Sequence, residues 1–234
     1  MSERGEREGG GLDRDGPRSR VLEVVQHRRS VRSFSPRPVE NWKLRLVLEA
    51  LRLAPSSTNS QPWRVVVVKD AGLREALSQA VPMGIRDHSW MAAAQVVLGL
   101  CAKPHPVQRV GQVLGKDYHL VDAGIAGEHA VLVAAELGLG TCWVGWFAKR
   151  ATKRLLGVPR FVQVVCLIPM GYPAGDEGKP SARVTANQLK FLLESPPEGI
   201  GRIPAKGRKP LDEVCFLDRF GRPFPPDFFD APLA

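Results

Sequence analysis

Short apolar runs rich in β-branched residues alternate along this chain with longer stretches of helical periodicity. Four such runs, at residues 65–68, 96–101, 141–144 and 162–168, predict buried strands, and Pro169 is expected to end the fourth. A last short strand is predicted at residues 214–217. Because a sheet must bury its apolar faces against other elements, this alternation predicts an α/β or α+β sandwich.

The stretches between the strands carry the 3.6-residue spacing of helices. We predict helices at residues 21–29, 39–53, 71–80, 121–137, 149–156 and 185–193. With 44% apolar residues, the 234-residue chain has enough for one core, and we assign a single domain to residues 21–217. Residues 1–20 are predicted to be a disordered leader, and residues 218–234 a C-terminal extension rich in aromatic residues and proline.

The formal net charge of +9 lies entirely in the middle of the chain, because both ends balance their acids and bases. An anion-binding site in the folded body is therefore expected, with a solvated basic surface as the alternative. The basic residues cluster without interleaved aromatic residues, so no nucleic acid partner is expected.

The four cysteines, Cys101, Cys142, Cys166 and Cys215, are far apart and form no C-x-x-C pair. This spacing predicts core thiols in a reducing compartment. The N-terminus lacks an apolar signal region. Residues 129–148 are apolar, but their glycines predict a helix, a turn and a strand instead of a membrane span. A cytoplasmic protein with no membrane partner is expected.

Several common catalytic motifs are absent from the sequence. Trp143 stands where a G-x-G-x-x-G fingerprint needs its third glycine, and no phosphate loop, H-E-x-x-H or G-x-S-x-G motif occurs. The sequence therefore shows no evident nucleophile or metal site, and we name no catalytic side chain. Its chemistry is expected to reside in a bound cofactor.

Three segments carry the functional interpretation. Residues 28–32, RRSVR, place three guanidiniums and a hydroxyl where they favour a phosphate, although a solvated helix end is the simpler explanation. Residues 54–63, APSSTNSQPW, form a stiff, hydrogen-bonding loop that suits a planar heterocycle, or an ordinary turn. Residues 138–147 combine glycines with Trp143 and Trp146, which suits a ligand wall, or a helix cap and a buried strand.

Together with IPMGYP at 168–173 and RKPLDEV at 208–214, these segments resemble the FMN-dependent nitroreductase superfamily. That superfamily includes the iodotyrosine deiodinases and the flavin destructase of cobamide synthesis. The resemblance spans about residues 21–217, with an insertion at 176–205. It implies an α+β fold around a mostly antiparallel sheet and an intertwined homodimer. One tightly bound, non-covalent FMN would lie at each of two subunit interfaces.

The resemblance also implies a set of cofactor-binding residues. Arg28, Ser30 and Arg32 would hold the phosphate and the flavin edge, supported by Arg29. The partner subunit would supply Pro55, Ser56, Ser57 and Asn59. The ring would pass Trp143, Val144, Gly145 and Trp146, with a backbone N–H of Gly145 or Trp146 toward its N5. Arg208, aided by Lys206 or Lys209, would close on the phosphate, with Arg183 as its competitor.

The activity implied is that of an FMN-dependent NAD(P)H oxidoreductase. NADH or NADPH would pass hydride to the flavin and leave, and a nitroaromatic, quinone or enone would then take the electrons in a ping-pong cycle. Reductive dehalogenation, flavin cleavage and non-catalytic FMN binding remain alternatives. The lid within residues 83–119 would decide among the reactions, with Arg86, Arg109, Lys116 and Tyr118 as candidate contacts.

Overall fold

The computed structural model describes residues 19–80, 88–104, 106, 115–175 and 207–229. The predicted insertion at 176–205 and the predicted helix at 185–193 lie outside these residues, as do most of the predicted leader and the end of the C-terminal extension.

A five-stranded sheet forms the centre of the fold, in the order β3-β4-β2-β1-β5. Its strands are β1 (Trp63–Val68), β2 (Val96–Ala102), β3 (Gly140–Thr141), β4 (Gln163–Gly171) and β5 (Cys215–Leu217). Three of the four neighbouring pairs are antiparallel, and only β1 with β5 is parallel. The predicted α+β fold with a mostly antiparallel sheet is confirmed.

Helices cover both faces of the sheet. They are α1 (Arg20–His27), α2 (Asn41–Leu53), α3 (Ala71–Gln79), α4 (Tyr118–Glu136), α5 (Lys149–Leu155) and α6 (Leu211–Val214). Alternate strand residues point to opposite faces, so Val65 and Val67 pack in the core under α2 and α4, while Val66 and Val68 pack in a second core with Leu77 of α3. This explains why every residue of β1 and β2 is buried.

Helix α4 positions much of the site and ends in a well-defined cap. Gly138 adopts a left-handed φ of 77°. The Gly138 N–H donates to the Ala135 carbonyl at 3.0 Å, and the Leu139 N–H donates to the Ala134 carbonyl at 2.8 Å. These two bonds are those of a Schellman motif, for which glycine is the favoured residue. The cap turns the chain directly into β3.

The prediction that Pro169 ends the fourth strand is wrong, because β4 continues to Gly171. The Pro169 carbonyl accepts from the Cys142 N–H, so the edge of Pro169 that lacks an N–H faces the β3 side. Because β3 already ends at Thr141, the missing N–H of Pro169 removes little pairing between β3 and β4. The predicted strand at 141–144 is correspondingly short, with Val144 bridged singly to Leu167.

Among the described residues, no helix is both long enough and apolar enough to cross a membrane. The apolar stretch at 129–148 forms the end of α4, its cap and β3, as predicted.

Candidate functional site

The arginine segment, residues 28–32, lies along the edge of the sheet beside β3. Helix α1 ends at His27, and the Arg28 N–H donates to the Val24 carbonyl at 2.9 Å. Ser30 then forms a parallel bridge with Thr141, and the Val31 N–H donates to the Thr141 carbonyl at 2.9 Å. The segment is thus held by backbone bonds, which leaves the side chains of Arg29, Ser30 and Arg32 exposed.

Gly140 allows this close approach. A Cβ built on Gly140 would lie 2.6 Å from Cγ2 of Val31, well inside van der Waals contact. Gly140 therefore makes room for the arginine segment, and Gly138 for the helix cap. A Cβ on Gly145, by contrast, would meet no atom within 4 Å. Gly145 therefore has open space beside its Cα, whereas Gly140 does not.

The arginine segment also faces Cys142, the first residue after β3. Burial raises the pKa of the Cys142 thiol. The positive charge of Arg32, a hydrogen bond from Ser30 and the charge of Arg28 act in the opposite direction on that pKa. These interactions show that the predicted first and third segments meet, and that their meeting point is positively charged.

A cavity of about 440 Å³ opens beside the arginine segment. Arg28 and Arg29 line it together with Gly140 and Thr141, and Glu23 and Glu136 lie on its α1 and α4 sides. Its volume falls in the range of small-molecule sites.

The two tryptophans of the third segment differ in their surroundings. A Cβ on Gly127 of α4 would lie 2.4 Å from Cη2 of Trp143, so the Trp143 indole packs against that helix. The Trp146 side chain is 66% exposed. Between them, Val144 is buried and exchanges both backbone hydrogen bonds with Leu167. Trp146 and the backbone of Gly145 are therefore the accessible parts of this segment.

The polar loop, residues 54–61, contains a short 3₁₀ turn at Ser57–Asn59. Three of its non-glycine residues have left-handed backbones, with φ of 53° at Thr58, 56° at Asn59 and 48° at Gln61. Such conformations cost about 1–3 kcal/mol each and persist only where neighbouring contacts impose them.

Asp122 and Gln61 supply those contacts, and sequence reasoning did not assign either to the site. The Ser57 N–H donates to Oδ1 of the buried Asp122 at 2.9 Å. The Gln61 side chain donates to the Gly207 carbonyl at 3.2 Å and accepts from the Lys209 N–H at 2.7 Å. A carboxylate on the buried face of an alanine-rich helix was the available signal for Asp122.

Arg208 joins the polar loop and not the arginine segment. Its Nη1 donates to Oδ1 of Asn59 at 2.9 Å, and its Nε and Nη2 lie 3.4 and 3.3 Å from the Leu53 carbonyl. Arg183, the competing candidate, and Lys206 lie outside the described residues. Of the candidate lid residues, Lys116 and Tyr118 are exposed, and Arg86 and Arg109 also lie outside the described part of the chain.

The arginine segment and the polar loop lie at opposite ends of the sheet. The loop precedes Trp63, which pairs with Ala102, and Ala102 pairs with Gln163 at the start of β4. The arginine segment adjoins Thr141, which pairs with Met170 near the end of β4. Gln163 and Met170 are seven positions apart along β4, or roughly 24 Å. Within one chain, the two groups of predicted residues are therefore not brought together.

Comparison with known proteins gives consistent results. Residues 25–172 match the profile of the Nitroreductase family. The chain is 30% identical over 163 residues to a "Putative NADH dehydrogenase/NAD(P)H nitroreductase" of Archaeoglobus fulgidus, covering 67% of this chain and 87% of that protein. It is 30% identical to the "FMN reductase [NAD(P)H]" of Bacillus subtilis over 68% of each chain. The crystal structure of a nitroreductase family protein from Clostridium novyi superposes with a TM-score of 0.68 at 26% identity, covering 88% of this chain and 97% of that one.

Proposed function

Because this chain belongs to the nitroreductase family, we propose that it passes electrons from NADH or NADPH through FMN to electron-poor acceptors. The family and the names of its relatives support an NAD(P)H-dependent oxidoreductase that uses FMN. The acceptors that we propose are nitroaromatics, quinones and enones, taken up in a ping-pong cycle.

The residues of the arginine segment fit the phosphate of FMN. Arg28, Arg29 and Arg32 supply three permanent positive charges beside the Ser30 hydroxyl, and a phosphate carries close to two negative charges at neutral pH. Guanidinium–phosphate hydrogen bonds are charge-assisted and are among the stronger polar contacts in proteins. The side chains of Ser30 and Arg32 are exposed and therefore accessible to that ligand.

The remaining predicted residues suit the flavin ring. Open space lies beside Gly145, so its N–H can donate to a ring nitrogen, and the indole of Trp146, the next residue, is exposed. The polar loop offers hydroxyl and amide groups for the polar edge of the ring. When bound, FMN supplies the hydride chemistry, which matches the absence of an evident nucleophile in the sequence.

One observation carries the proposal that the active form is a homodimer. The arginine segment and the polar loop lie at opposite ends of one sheet, so a second chain is needed to place both against one flavin. The helices also leave apolar side chains exposed for such a partner. These are Val21, Leu22 and Val25 of α1 and Val121 and Ile125 of α4, which are between 37% and 67% exposed.

All four cysteines are free and buried in the described structure, and we propose a reducing, cytoplasmic location. Cell fractionation with an antibody to the native protein tests this proposal. Recovery in the soluble cytoplasmic fraction is expected, and recovery from an oxidising compartment contradicts it.

Purified protein tests the proposed function directly. We expect flavin absorption bands, a dimeric mass by light scattering, and oxidation of NADH or NADPH that depends on menadione or a nitroarene. FMN-loaded protein that turns over no acceptor would support the non-catalytic alternative instead. A monomer with full activity would contradict the two-chain site.

A further inference from the structure

A second cavity, of about 570 Å³, lies at the end of β4 that is remote from the arginine segment. Three cationic residues, Lys149, Lys153 and Arg160, line it, and none of the described residues lining it is acidic. The Asp117 carboxylate lies close by, with Oδ1 at 3.9 Å from Nδ1 of the buried His119 that also lines the cavity. The cavity is therefore suited to a ligand with concentrated negative charge.

Two further features indicate a nucleotide. Lys153 is half-buried, and its Nζ donates to the Arg160 carbonyl at 2.8 Å, which fixes this ammonium at the wall. Phe161, the next residue, is 58% exposed and lines the same cavity, with Nζ of Lys103 at 5.7 Å from its ring centroid. Aromatic rings stack on nucleobases, and fixed cations bind phosphates. A simple solvated basic helix would not need an exposed phenylalanine.

The cavity also lies within reach of the proposed flavin ring. Trp146 follows Val144 by two residues, and Val144 is bridged to Leu167 of β4. Val164, which lines the cavity, precedes Leu167 by three residues, or about 10 Å of strand. Lys149 begins α5 only three residues after Trp146. A dinucleotide with its reactive ring near Trp146 can thus extend its other end into this cavity.

We propose that this cavity binds the adenosine 2′-phosphate end of NADPH and makes the protein prefer NADPH to NADH. The 2′-phosphate lies against Lys149, Lys153 and Arg160, and the adenine lies against Phe161. This inference rests on the proposed function, since it assigns the electron donor of that reaction. It also gives a role to the basic helix α5, which the flavin site leaves unused.

Equilibrium binding tests the cavity independently of turnover. Calorimetry at low salt compares adenosine 2′,5′-bisphosphate, 5′-AMP and inorganic phosphate on the FMN-loaded protein. We expect the bisphosphate to bind at least about tenfold more tightly than either, the factor that one charge-assisted bond provides. Equal affinities for the bisphosphate and 5′-AMP, or for the bisphosphate and phosphate, overturn the proposal.

Matched double variants test the residues. In Lys149→Gln/Arg160→Gln, we expect bisphosphate affinity and the NADPH-to-NADH ratio of kcat/KM both to fall at least about tenfold. Arg150→Gln/Arg154→Gln also removes two positive charges, both from residues of α5 that do not line the cavity, and should leave both values within about twofold. Equal effects of the two pairs, or no effect of the first, overturn the proposal. If no protein turns over but the first pair alone loses bisphosphate binding, the cavity assignment stands and the proposed function fails.

Discussion

Removing the Asp122 carboxylate should release the polar loop from its left-handed conformation. In Asp122→Ala, the Ser57 N–H loses a charged acceptor 2.9 Å away. A hydrogen bond to a charged group contributes about 1.5–3 kcal/mol to the free energy of unfolding. For a chain of this length, that loss lowers the melting temperature by about 3–12 °C.

The loss should extend to FMN binding, because the loop supplies part of the proposed flavin site. Differential scanning fluorimetry of the apoprotein measures the stability, and fluorescence titration with FMN measures the dissociation constant. Asp122→Asn keeps an oxygen acceptor without the charge, so we expect about half of the stability loss. Glu128→Ala, on the same helix, is the control and should change neither value.

A second substitution separates loop release from general damage. Thr58 has a φ of 53°, which glycine adopts without a side-chain penalty. Adding Thr58→Gly to Asp122→Ala should therefore recover part of the FMN affinity, since the loop then needs less external support. If Asp122→Ala melts within 1 °C of the parent protein and binds FMN equally well, the carboxylate does not hold the loop.

Gly140→Ala should destabilise the protein by about 1–3 kcal/mol in denaturant titration and weaken FMN binding, because its new methyl group meets the arginine segment. Arg28→Ala and Arg208→Ala should each lose FMN on gel filtration, with affinity reduced by about 10-fold to 150-fold; if both retain full flavin, the phosphate is placed wrongly. Trp146→Ala should raise the KM for a nitroarene and leave the melting temperature unchanged, since the ring is 66% exposed; a large drop in melting temperature would contradict that placement. Cys142→Ser should keep its turnover with FMN bound, because no thiol chemistry is assigned to it; loss of hydride transfer would refute this.

Local patterns predicted most of the framework. The apolar run at residues 65–68 of β1 and the alanine-rich run at α4 identify their elements because burial on both sides requires continuous apolar sequence. The prediction that Pro169 ends β4 is wrong because the cost of a missing N–H depends on which neighbouring strand it faces. That neighbour, Cys142, is distant in sequence, and the strand register alone determines its place.

The site was predictable as a set of residue types but not as an arrangement. The composition of residues 28–32 indicates an anion, and its exposed edge position agrees with that interpretation. The purpose of Gly140 depends on Val31, more than 100 residues away, and no local pattern reports such a contact. The bond between Asp122 and Ser57 joins residues 65 positions apart, and no local pattern reports it either.

The arginine segment and the polar loop lie far apart within one chain, and this separation has a consequence for mixed populations of subunits. In the proposed dimer, each flavin takes its arginine segment from one chain and its polar loop from the other. A subunit damaged at Arg32 and a subunit damaged at Asn59 would each form inactive homodimers. Their heterodimer, however, has one flavin site with both defects and one with neither. Co-expression of two inactive alleles should therefore restore activity by complementation.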